Sequence, residues 1–136
     1  MLIHVSPNNP KPMYEQIVDE IQRLIAMRVL EPDELLPSIR QLSKELTTSA
    51  ITIRRAYQEL EGSGFIYTRA GRGSFVAQLS EDDIMAWKMK QVQEPLTRSI
   101  QQAKRLNLSE EQFHQMINKL WEDIYVKSTE EEEKDD

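Results

Sequence analysis

The chain has 136 residues, 39% hydrophobic and 29% charged, a composition that supports a small globular domain with an appendage. It contains no cysteine, which excludes disulfides, thiolate metal sites and thiol nucleophiles, and no apolar run approaches the ~20 residues of a membrane span. The formal net charge of −6 at pH 7, taken over the whole chain, argues against a polyanionic partner.

Met1-Leu2-Ile3-His4-Val5 lacks a basic region followed by an apolar stretch, so no signal peptide is expected and the expected compartment is the cytoplasm. Pro10-Lys11-Pro12 opens the first helix, with Pro12 suited to a first turn where its missing N–H costs nothing. Tyr14, Ile17, Val18, Ile21, Leu24 and Ile25 recur at helical spacing as one apolar stripe. Pro32 ends this helix near Val29-Leu30, and Pro32-Asp33 reads as a turn, a pair that type I geometry tolerates.

Leu35-Leu36-Pro37-Ser38 begins a second helix, which turns Ile39, Leu42 and Leu46 inward and runs to about Leu46. Thr47-Thr48-Ser49 is a short turn, and Ser49 caps a third helix over about 50–61. On that helix Ile53, Ala56, Tyr57 and Leu60 share one face, with Ile51, Arg54, Arg55 and Gln58 opposite. Two helices joined by a tight turn, the second presenting arginines, form a helix-turn-helix pattern. Gly62-Ser63-Gly64 stops the helix, and two short β-rich runs flanking Ala70-Gly71-Arg72-Gly73 predict a hairpin, a basic wing.

From Ser80 onward the composition shifts to helix formers and acid. Met85, Met89, Val92, Leu96, Ile100 and Ala103 mark an amphipathic stretch, in which Pro95 either makes a kink or starts a new helix. Ser109 with Gln112 has the spacing of a capping box, followed by the wide stripe Phe113, Met116, Ile117, Leu120, Trp121 and Ile124. Two such helices cannot bury both stripes against each other, so a second copy of the chain is expected to cover them. Trp87, Leu96, Ile100, Phe113, Met116, Ile117, Leu120, Trp121 and Ile124 are the expected dimer-interface residues. The run Thr129 to Asp136 is almost wholly charged and is expected to be a disordered, solubilising tail.

Charge distribution revises the first impression of an acidic protein. Residues 1–79 hold 9 basic and 9 acidic side chains, residues 80–136 hold 8 and 14, and Arg40 to Arg72 hold 6 against 3. Phosphate binding responds to the field within a Debye length of roughly 8 Å, so a basic face on an acidic chain is compatible with DNA. His4 and His114 stand apart, with no metal-ligand spacing, and no nucleophile–base constellation or phosphate loop is present. No catalytic residue, cofactor or metal is therefore expected.

Residues 10–77 resemble the DNA-binding head of the GntR family of bacterial regulators. The matching segments are Pro12-Met13-Tyr14-Glu15-Gln16-Ile17, Leu36-Pro37-Ser38-Ile39-Arg40-Gln41-Leu42, Ile51-Thr52-Ile53-Arg54-Arg55-Ala56-Tyr57 and Gly71-Arg72-Gly73-Ser74-Phe75-Val76. The two-helix remainder resembles that of the YtrA-type subfamily, which implies dimerisation through this region and no large effector domain. The resemblance places DNA contacts at Arg40, Ser49, Ala50, Thr52, Arg54 and the wing tip Ala70-Gly71-Arg72. Residue chemistry adds Ser38, Ile51, Arg55 and Arg69; Ile51 either meets a thymine methyl or packs under the wing.

Three positions depart from the family. Thr47 stands where glycine is usual, Ala50 where arginine is, and Asp33 where a Pro-Gly turn is frequent. A positive φ at Thr47 would strain a β-branched residue.

The expected fold is mainly α with a small β-hairpin (α+β), a winged helix-turn-helix head at 1–78 and a C-terminal helical hairpin at 79–128, before the tail at 129–136. The expected function is a repressor that binds an inverted-repeat, double-stranded operator as a homodimer. A protein-interaction module is the competing class, and the cations between residues 40 and 72 weigh against it. Two helices leave little room within one subunit for a ligand pocket of ~300 Å³, so any small effector, of unknown identity, belongs at the dimer interface or near Gln78 to Asp83.

Overall fold

The apolar stripe of the first helix is the surface on which the head assembles. Helix α1 (Met13–Ala26) buries Ile17, Val18, Ile21, Leu24 and Ile25 and packs on helix α3 (Ala50–Gly62), which also receives helix α2 (Ile39–Leu46) and strand β1 (Ile66–Arg69). Ile17, Ile21, Leu42, Ile53, Leu60 and Val76 are fully enclosed. Each such side chain stabilises the fold by about 1.5–3 kcal/mol before the cost of ordering it. The computed structural model describes residues 3–135; Met1, Leu2 and Asp136 lie outside it.

β1 pairs antiparallel with strand β2 (Gly73–Val76) in the register Ile66↔Val76 to Arg69↔Gly73. The segment before α2 adds a third layer of pairing, because Leu35 bridges Phe75 and the Leu36 N–H donates to the Ser74 carbonyl at 2.9 Å. The second helix therefore starts at Ile39, not at Leu35. Ser38 caps it in a box, accepting from the Gln41 N–H at 3.1 Å while its own N–H donates to Gln41 Oε1 at 2.9 Å.

Four helices end in the same Schellman turn. At the ends of α1, α2, α3 and helix α4 (Glu81–Arg105), Arg28, Thr47, Gly64 and Asn107 take a positive φ. In each, the next residue's N–H reaches five residues back, as from Val29 to Leu24 at 2.9 Å and from Thr48 to Ser43 at 3.0 Å. Only Gly64 meets that geometry without strain. The turn at Arg28 also ends α1 at Ala26, earlier than Pro32 alone implies. Asp33 sits at φ 65, with Glu34 N–H donating to the Glu31 carbonyl at 3.1 Å. A positive φ at the third position excludes type I geometry there.

The N-terminal segment is pinned by Gln16, which is nearly buried. Its Oε1 accepts from the Ser6 N–H at 2.9 Å, and its Nε2 donates to the Ser6 and Lys11 carbonyls at 3.0 and 2.9 Å.

Two compact units divide after Ala86, within α4, rather than at residue 78. Ile84, in the first turns of α4, is buried, which carries the head past the expected boundary. α4 runs unbroken through Pro95, so no new helix starts there. Around it, the Thr97 and Ser99 hydroxyls donate to the Gln93 and Pro95 carbonyls at 2.8 and 3.1 Å.

In the second unit, helix α5 (Glu110–Trp121) opens on a Ser109–Gln112 capping box. A π-helical turn (Glu122–Val126) follows, then helix α6 (Lys127–Asp135). The charge run predicts disorder where α6 stands. Propagating an existing helix avoids the cost of nucleation, and its glutamates are good helix formers. An open groove of about 390 Å³ lies along Leu96, Ile100, Phe113, His114 and Ile117, more room than two helices were expected to leave. The cause is that, among the described residues of this unit, only Ala103 is buried, so the two stripes do not fill the space between them.

Candidate nucleic-acid interface

The helix-turn-helix turn is held by chemistry that the sequence places with short polar residues. Thr47 takes φ 51 and ψ 49, the left-handed conformation, and the Ser43 hydroxyl donates to the Thr48 carbonyl. Ser49 then caps α3, accepting from the Thr52 N–H at 3.2 Å, with its hydroxyl 2.8 Å from that of Thr52. Ala50 and Ile51 follow at the open, positive end of the helix. Both are exposed, Ile51 to 77%, so it does not pack under the wing.

Arg54 and Arg55 are exposed on α3, as the helical spacing predicts, but their surroundings differ. The Arg55 guanidinium lies 3.7 Å from the centroid of the Tyr14 ring. Burial and a hydrogen bond to Glu15 raise the Tyr14 phenol above its ordinary value, and Arg55 opposes them.

The start of α2 is fixed from below by Tyr57, whose hydroxyl donates to the Pro37 carbonyl at 2.6 Å. Burial pushes the Tyr57 phenol far up, with the Glu45 carboxylate adding to the effect. This bond holds the turn carrying Ser38 and Arg40 against α3.

The wing turns at Arg69–Arg72, closed by the Arg72 N–H donating to the Arg69 carbonyl at 2.9 Å. Gly71 (φ 74) and Gly73 (φ 118) both take conformations that favour glycine. A Cβ at Gly71 would meet only open space, while one at Gly73 would come within 3.0 Å of Leu35 Cδ1. Tyr67 and Phe75 stack with centroids 5.4 Å apart, and the Arg69 guanidinium stands 4.9 Å from the Tyr67 ring.

Wing and α2 face each other across a groove of about 540 Å³. Ser38, Arg40, Gln41, Arg69, Gly71 and Arg72 are among the residues that line it, and no aspartate or glutamate is. Three guanidinium groups around a groove without a carboxylate make a local field suited to phosphate. The structure thus groups five of the expected contacts, Ser38, Arg40, Arg69, Gly71 and Arg72, around this groove. Ser49, Ala50, Ile51, Thr52 and Arg54 form a second set on the first half of α3 and the turn before it.

One residue of this region escapes sequence reasoning. The Asp33 carboxylate accepts from the Tyr67 hydroxyl at 2.8 Å and from Gln78 Nε2 at 2.6 Å. These bonds, Gln78 foremost, hold its carboxyl below the ordinary value, and the bond from Tyr67 to Asp33 raises the Tyr67 phenol. The only signal in the sequence is an acid in a turn position that usually takes glycine.

Among the described residues no three His, Asp or Glu side chains stand together as a metal site. No helix there is long and apolar enough to cross a membrane. All nine expected dimer residues are at least partly accessible in the single chain: Trp87 and Phe113 are half-buried and the other seven exposed, Trp121 to 62%.

Residues 13–76 match the family model described as bacterial regulatory proteins, gntR family. The chain is similar to the HTH-type transcriptional repressor YtrA of Bacillus subtilis, 29% identical over 90% of this chain and 95% of that one. An uncharacterized HTH-type transcriptional regulator of the same organism, YhcF, is 35% identical over 76% of this chain and 84% of its own length. Among solved structures, YtrA from Sulfolobus acidocaldarius, described as a GntR-family transcription factor, matches with a TM-score of 0.54 and 30% identity, over 90% of this chain and 98% of that one. These relatives are transcriptional regulators, not enzymes. The winged helix-turn-helix head matched by the family model and the near full-length similarity to YtrA proteins together make this chain a member of the GntR family of bacterial regulators.

Proposed function

We propose that the chain is a sequence-specific DNA-binding repressor that acts as a homodimer on an inverted-repeat operator, in the cytoplasm. The observation that carries this reading is the groove between wing and α2, lined by three arginines and no carboxylate, beside an exposed first half of α3. In this reading α3 enters the major groove. Arg54 reads a base edge there, and Ile51 with Ala50 offers an apolar tip that suits a thymine methyl. Ser49 and the N-terminal N–H groups of α3 take a phosphate. Arg40 and Arg72 hold the backbone on either side of the wing groove, with Arg72 entering the minor groove. The exposed stripes of α4 and α5, centred on Ile100, Ile117 and Trp121, pack against those of a second copy.

Selection of bound duplexes from a random pool by the purified chain, at physiological salt, tests this directly. An inverted repeat with half-sites about 34–36 Å apart is the expected product. Recovery of nothing above the nonspecific background overturns the proposal.

A further inference from the structure

Asp33 touches three parts of the head at once. Its N–H donates to the Val76 carbonyl of β2 at 2.8 Å, its Oδ1 accepts from Tyr67 of β1, and its Oδ2 accepts from Gln78, in the segment joining β2 to α4. A single residue before α2 thus joins both strands of the wing and the chain that leaves it. It does so from φ 65, a left-handed conformation that glycine adopts freely and aspartate more readily than most other residues, though at a cost. Glycine, the usual residue at the third position of such a turn, would remove that strain and also both side-chain bonds.

We propose that Asp33 is a positioning residue for DNA binding: its carboxylate ties Tyr67 and Gln78 together and so sets where the wing, with Arg69 and Arg72, meets the phosphate backbone. This inference rests on the DNA-binding reading above. Tyr67 is the transmitting group, because it stacks on Phe75 across the hairpin and lies under the Arg69 guanidinium. Releasing its hydroxyl frees the strand that carries the wing's cations. The ionised carboxylate, with two oxygens accepting from two donors, is the species that holds both partners.

The test uses the full chain with Asp33→Gly, Tyr67→Phe and the double variant, each titrated with a duplex carrying the selected inverted repeat at several salt concentrations. Asp33→Gly relaxes the turn but also removes both side-chain bonds, so Tm is expected to change little while DNA binding weakens about threefold to tenfold. The log–log salt slope should become shallower by about 0.9 for each phosphate that the wing no longer neutralises. Tyr67→Phe should weaken binding in the same direction, and the double variant should bind no more weakly than Asp33→Gly alone, because the Tyr67–Asp33 bond is already absent there. The Tyr67 ring, followed by NMR, should titrate at lower pH once Asp33 is replaced. Wild-type affinity and slope in Asp33→Gly would overturn the assignment and leave the family reading intact. An affinity decrease that follows a falling Tm at unchanged slope would overturn it too, making Asp33 a stability residue. A wild-type chain that binds no duplex removes the DNA-binding reading and this inference together.

Discussion

The Arg55 guanidinium lies over Tyr14, 3.7 Å from the ring centroid, a stacking that its neighbour Arg54 does not share among the described residues. Two adjacent arginines of the same exposed helix face therefore have different work. Arg54→Ala should lower specific affinity about tenfold to a hundredfold, the value of one bidentate base interaction, with Tm unchanged. Arg55→Ala should lower Tm by about 2–4 °C by removing the cation over the ring, with a smaller effect on affinity. Thermal melts and operator titrations of the two variants separate the roles; equal affinity losses would show that stacking does not withdraw Arg55 from the DNA.

Thr47 occupies a left-handed position in the helix-turn-helix turn. The strain of a β-branched residue there exceeds the extra entropy that glycine loses on folding. Thr47→Gly should stabilise the head by about 0.5–1 kcal/mol, read as a raised denaturation midpoint at unchanged m-value. A lowered midpoint would mean that the Ser43–Thr48 clasp, and not the conformation of Thr47, dominates this turn.

The buried Tyr57 phenol gives an alkaline prediction. Its folded pKa is raised above the ordinary 10.0, so its contribution is fully present below pH 10 and is lost as pH rises toward the folded value. Unfolding free energy should fall above pH 10 with a slope of about 1.4 kcal/mol per pH unit from this group. Tyr57→Phe should abolish that component, and by leaving the Pro37 carbonyl without its donor it should cost about 1 kcal/mol at neutral pH. Chemical denaturation across pH 8–11 measures both.

The apolar stripes of α4 and α5 lead to a prediction about mass. Ile117→Glu or Trp121→Glu should convert a dimer to a monomer in sedimentation equilibrium, while the fold of the head, monitored by its melting, is kept. Operator affinity should then fall by at least about tenfold, because two half-sites no longer bind as one unit. A wild-type chain that sediments as a monomer at all concentrations would remove the dimer from the proposal.

The parts of the fold legible in the sequence were those with local causes. Ser49 and Ser109 each cap the helix that follows, because a short hydroxyl side chain reaches a first-turn N–H. Gly71 and Gly73 marked the wing for the same kind of reason. What stayed hidden depends on partners distant in sequence. Leu35 looked like the start of a helix, but its backbone is satisfied by β2, forty residues away, and no spacing rule contains that pairing. Asp33 looked like a turn residue, since its partners Tyr67 and Gln78 lie in other elements. The π-helical turn after Trp121 has no compositional mark that we can identify. The expected DNA-binding side chains follow mostly from the family resemblance, with residue chemistry adding four; the turn of Arg55 toward Tyr14 requires the packing of α1 on α3.

Gln16 makes the attachment of the N-terminal segment depend on one amide group. Its amide stands in for a strand, offering an acceptor to Ser6 and donors to the Ser6 and Lys11 carbonyls. Hydrolysis of that amide to a carboxylate changes the side chain by a single group, yet it removes both donors and sets a negative charge against two carbonyl oxygens. A Gln16→Glu change would therefore loosen the hold of α1 on the Ser6–Lys11 segment, leaving buried Ile3 as an anchor of the N-terminus.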